Sequence, residues 1–83
     1  MKFKAEIDVM PLEALLDPQG KAVTSSMKNI GLPDISSVRI GRHIQLIVEA
    51  ADENKAAEKV QEACKKLLVN AIMESYTYTI ERA

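Results

Sequence analysis

From Lys2 to Met10 the chain alternates strictly: Phe3, Ala5, Ile7 and Val9 are apolar, and Lys2, Lys4, Glu6 and Asp8 are polar. A period of two predicts a strand with one buried and one wet face. Pro11 has no amide proton to donate and should end the ladder. Asp17-Pro18 then reads as a helix start, with Asp17 as N-cap and Pro18 at the first helical position. Val23, Met27 and Ile30 follow at i, i+4 and i+7 as one apolar stripe. Gly31 suits a left-handed C′ position and Pro33 blocks continuation, so a helix is expected over 18–30.

Period two returns from Ser37 to Ala50. The apolar phase runs through Val38, Ile40, Ile44, Leu46 and Val48, with Arg42 as its one charged member. Gly41-Arg42 is a poor two-residue hairpin turn, which favours pairs such as Asn-Gly. One long strand bent or bulged at Gly41 fits better than two short strands, and both readings stay open. Asp52 caps a second helix whose stripe is Ala56, Val60, Ala63 and Leu67, with Ala57, Cys64 and Leu68 alongside, and Asn70 is its expected stop. Ser75 to Glu81 alternates again, with Tyr76, Tyr78 and Ile80 on one face. The expected order is β-α-β-α-β over one domain spanning 1–83. The fold class is α+β, related to the ferredoxin-like arrangement. It has an antiparallel sheet, two helices on one face and a long middle strand.

That middle strand carries a geometric consequence. Fourteen extended residues span on the order of 45 Å, whereas a compact chain of this length has a radius of gyration near 12 Å. The strand must bend sharply or overhang, and an overhanging strand with an apolar face calls for company. Exchange or sharing of the strand in an oligomer, at least a dimer, is the expected remedy.

Composition narrows function mainly by exclusion. Apolar residues make up 47% and charged residues 28%, an ordinary globular balance. No run approaches the roughly 18 apolar residues of a membrane span, and the N-terminal residues show no signal-peptide pattern. Eleven basic against twelve acidic residues give a net charge of −1, which disfavours a nucleic-acid binder. One cysteine forbids an internal disulfide and makes a cytoplasmic location the expectation.

The candidate chemistry is thin. Cys64 lies on an apolar stripe and reads as a structural thiol. His43 is the only histidine, too few ligands for a zinc site. A triad from Ser36 or Ser37 with His43 has nothing to assemble it. No GxGxxG or GxxxxGK[ST] occurs, and Gln19-Gly20-Lys21 lacks the amide cradle of a phosphate loop. Arg42 breaks the apolar phase of its strand. It reads either as an arginine escaping at a bulge or as a polar anchor at a subunit boundary, where its fork can pair with carboxylate or carbonyl groups. No catalytic, cofactor-binding or metal residues are assigned.

Leu16-Asp17-Pro18-Gln19-Gly20-Lys21-Ala22-Val23, Val38-Arg39-Ile40-Gly41-Arg42 and Leu67-Leu68-Val69-Asn70 together resemble the PurS family, small subunits of phosphoribosylformylglycinamidine synthase. The likeness spans essentially the whole chain. It departs after the second helix, where the family pattern has Asn-Pro and this chain has Asn70-Ala71. The resemblance implies a non-catalytic subunit in the fourth step of de novo purine synthesis. Such a subunit bridges a glutaminase and a large ATP-dependent synthetase and assists ammonia transfer. It implies no cofactor on this chain, ATP and magnesium being used by the large subunit, and a homodimer or homotetramer. The interface candidates are Asp17, Gln19 and Lys21 at the first helix and Arg39, Gly41 and Arg42 at the bend. The rival reading is a ferredoxin-like regulatory module binding a small effector at a dimer interface. A small hydrolase on the same fold is a third, lacking an evident nucleophile.

Overall fold

The structure, a computed structural model, describes all residues 1–83. Strand β1 (Lys2–Pro11) is followed by helix α1 (Pro18–Met27), which tightens into a 3-10 turn over Lys28–Ile30. Strand β2 (Arg42–Glu49), helix α2 (Glu53–Ala63) with a π turn over Cys64–Leu68, and strand β3 (Glu74–Arg82) complete the order. The three strands form one antiparallel sheet in the order β2-β1-β3. The β-α-β-α-β order and the antiparallel sheet are as the periodicity predicts.

The apolar phase of β1 explains the core. Phe3, Ala5, Ile7 and Val9 are buried beneath α2, against Ala56, Val60 and Cys64. Removing a side chain such as Ile7 or Val60 from water contributes about 1.5–3 kcal/mol. Asp52 caps α2 as expected, its Oδ1 accepting from the Lys55 amide at 2.8 Å. At the far end of α2 the Val69 amide closes back on Cys64 O at 3.0 Å, five residues earlier. This wider turn brings Val69 into the core and swings Leu67 out to 83% exposure. Leu67 therefore leaves the stripe in which the 3.6-residue spacing puts it.

Two expectations are corrected. The middle strand does not run from Ser37 to Ala50, since its ladder covers Arg42–Glu49. Ser37 sits at φ 57°, in the left-handed region. Gly41 passes so close to β1 that a Cβ there would lie 2.2 Å from Val9 O and 2.4 Å from Met10 Sδ. The ladder stops at that pinch point, with no hairpin. The second correction concerns the helices. Only α2 covers the sheet, and α1 packs against none of the three strands. The molecule is consequently 51 Å long, with a radius of gyration of 16.4 Å, well above the roughly 12 Å of a compact chain this size. The overhang exists, but it is an arm built from α1 and its flanks rather than a projecting strand.

Candidate functional site

The arm is attached at the two stretches of sequence that stood out, 16–23 and 38–42. Asp17 has extended backbone and caps α1, its Oδ1 accepting from the Gly20 amide at 3.0 Å. Its Oδ2 accepts from the Ile40 amide at 2.9 Å. The same carboxylate thus closes the helix end and ties it to the segment leading into β2. The Gly20 amide and then the Ile40 amide hold the Asp17 carboxyl below its usual value, with smaller help from the Arg39 charge and the Gln19 amide. Partial desolvation works in the opposite direction.

One turn further on, Thr24 Oγ1 donates to Gly20 O at 2.8 Å and accepts from the Val38 amide at 2.9 Å. Gly20 lies buried where the two segments meet, and a Cβ there would be 2.3 Å from Val38 O. Val38 and Ile40, which a continuing strand would pair to a neighbour, are therefore satisfied by side chains of α1 and its cap.

The basic candidates point elsewhere. Arg39 donates to Pro11 O and lies 3.8 Å from Glu13. Arg42 donates to Leu68 O at 3.1 Å and to Glu74 Oε1 at 2.7 Å. The same Glu74 oxygen accepts the Asn70 amide at 2.9 Å. Arg42 is thus a polar anchor for carbonyl and carboxylate, with both partners in its own chain. Gln19 and Lys21 are exposed and make no side-chain hydrogen bond or ion pair. Of the six candidates, Asp17 and Gly41 shape the fold, Arg39 and Arg42 brace loops, and Gln19 and Lys21 are free to meet something else.

Around Arg42 lies an open cleft of about 290 Å³, lined also by Pro11, Leu15, Leu16, Met73 and Glu74. Leu16 and Ile72, near it in the chain, are 73% and 84% exposed. Periodicity missed this apolar surface because it lies in turns, where spacing has no meaning. It also missed Thr24 and Glu74 as tethers, since nothing local marks a hydroxyl or carboxylate that acts across the fold.

The rest of the surface offers little for catalysis. His43 contacts Asp8 at 2.6 Å and lies 3.8 Å from Glu6, on the sheet face away from α2. Burial pushes the Cys64 thiol up, away from the reactive thiolate. No three His, Cys, Asp or Glu side chains gather as a metal site. No helix is long and apolar enough to cross a membrane.

Comparison with known proteins returns one family throughout. The family model PurS, described as phosphoribosylformylglycinamidine (FGAM) synthase, matches residues 4–82. The chain is 40% identical over 78 residues to the phosphoribosylformylglycinamidine synthase subunit PurS of Synechocystis, covering 94% of this chain and 78% of that one. Among solved structures, Bacillus subtilis PurS superposes with a TM-score of 0.86 at 35% identity, covering 96% of this chain and 99% of that one. A chain of the PurLQS structure from Thermotoga maritima gives a TM-score of 0.89 at 36% identity, with coverages of 98% and 99%.

Proposed function

This chain belongs to the PurS family, the subunits of phosphoribosylformylglycinamidine synthase in purine biosynthesis, and from that membership we propose that it is the non-catalytic bridge of its complex. It joins a glutaminase subunit to the large synthetase subunit and holds them in register. ATP and magnesium are used by the large subunit, and the complex works in the cytoplasm. Residues 1–83 act as one domain in this role. Ammonia released into water is diluted and protonated. A scaffold that fixes two active sites relative to each other raises the rate by proximity, without an acid or base of its own.

The observation that carries this reading is the α1 arm. It packs on none of its own strands and presents Val23, Met27 and Ile30 along one face, with Ile30 67% exposed. A monomer has no use for such a face, and a second copy of the chain is its natural cover. The arm thereby takes over the sharing role that the sequence suggested for the middle strand. Gln19 and Lys21, unpaired at the base of the arm, are the side chains proposed to meet the larger subunits.

Assembly tests the assignment. Lys21→Glu should weaken association with the glutaminase and synthetase subunits severalfold in sedimentation, while the chain itself keeps its fold. Unchanged association would remove the base of the arm from the partner surface. Lys21 is a cleaner probe than Arg42, whose loss also frees the Glu74 turn.

A further inference from the structure

Helix α1 has two faces. Val23, Met27 and Ile30 form the apolar one offered to a second copy. Lys21, Thr24, Ser25 and Lys28 recur at i, i+3, i+4 and i+7 and lie about 140° further round the helix. The 33–38 segment runs against this second face, fixed by the bond from the Val38 amide to Thr24 Oγ1 at 2.9 Å. Two clefts of about 430 Å³ and about 330 Å³ lie between helix and segment and share Thr24 and Ser25, so they make one open groove. Lys21 and Ser37 line one half, and Lys28 and Ser36 the other.

The donors of this groove are uncommitted. The Lys21 and Lys28 ammonium groups make no ion pair, and the hydroxyls of Ser25, Ser36 and Ser37 make no hydrogen bond within the chain. Between Pro18 and Pro33 the two lysines are the only charges, and all twelve acidic residues lie outside that stretch. The one carboxylate among the lining residues, Asp17, is engaged through both oxygens by the Gly20 and Ile40 amides. Two helical turns set the lysines about 10 Å apart.

We propose that this groove receives an acidic segment of one of the two larger subunits. Two of its carboxylates pair with Lys21 and Lys28, and further oxygens accept from the serine hydroxyls. The inference rests on the bridging role and names the chemistry of the contact. A basic segment would repel both ammonium groups, and an apolar one would strip them of water with nothing in return. A lone phosphate needs donors that converge on one point, and these lysines stand too far apart for that. The groove lies away from the apolar face of α1, so a second copy on that face leaves it open.

Association of the full-length chain with each larger subunit, followed at two ionic strengths, tests the contact. Lys21→Gln combined with Lys28→Gln should slow association with one subunit about tenfold at low salt and flatten its salt dependence. Lys21→Arg with Lys28→Arg keeps both charges and should restore the wild-type rate. Lys65→Gln removes another exposed lysine without an ion pair, in the π turn after α2, and should change nothing. A zero-length carbodiimide, which joins touching amines and carboxylates, should link Lys21 or Lys28 to an aspartate or glutamate of the same subunit. Wild-type association by the double glutamine variant, an equal loss in Lys65→Gln, or carbodiimide links that avoid both lysines would each overturn the acidic contact. The bridge would then still stand, because the wild-type chain assembles. Failure of the wild-type chain to bind either subunit would overturn both.

Discussion

Around Ile7 the chain holds itself together by apolar contact, with β1 buried on one face under Val60 and Cys64. Around Asp17 it does so by polar bonds. Asp17 and Thr24 satisfy the amides of Ile40 and Val38, and Gly20 permits the backbones to touch. The difference shows how a chain with only ten buried residues can carry a protruding element. Its apolar core is spent on one helix. The other helix is aimed by a few directional bonds, which leave its apolar face free for a partner.

The largest effect should come from the core. Ile7→Ala is expected to cost about 2–5 kcal/mol, read from urea denaturation, and to weaken body and arm together. A loss confined to the arm would show that the two regions are not ordered as described. Asp17→Ala comes next, at about 0.5–2 kcal/mol for the lost cap. Its signature is local. The Gly20 and Ile40 amides should exchange with solvent faster, while those of β1 stay protected. Uniform exchange would mean that Asp17 serves the whole fold.

Acid should reproduce part of that loosening. A carboxyl whose pKa is depressed on folding contributes stability above its unfolded value and loses it as the pH falls through the folded one. Asp17 is such a group. The arm's attachment should be complete at neutral pH and fade below about pH 4. The Ile40 amide would report it in wild type, and Asp17→Ala would not change over the same interval.

The body was legible from the sequence because alternation and the 3.6-residue stripe report burial, and burial dominates there. Phe3 to Val9, Val60 and Cys64 all fell where their spacing put them. The arm was only half legible. Its helix, its cap at Asp17 and its stop at Gly31, with φ 84°, followed from local chemistry. Its departure from the sheet did not, because Val38 and Ile40 keep the strand phase although their amides are claimed by side chains about 14 and 23 residues earlier. Leu67 misled for a related reason, since one extra residue in a turn rotates everything after it. Among the candidate residues, Asp17, Gly41 and Arg42 all make contacts inside the chain, and the spacing marked them only as unusual. It could not separate the bonds they make at home from any they make abroad.

The most direct measurement compares product formation from glutamine with product formation from added ammonia by the glutaminase and synthetase subunits, with and without this chain. A bridge predicts that the chain raises the glutamine-dependent rate at least tenfold, about 1.4 kcal/mol of coupling, and leaves the ammonia-dependent rate within twofold. Equal stimulation of both rates, or of neither, would contradict it.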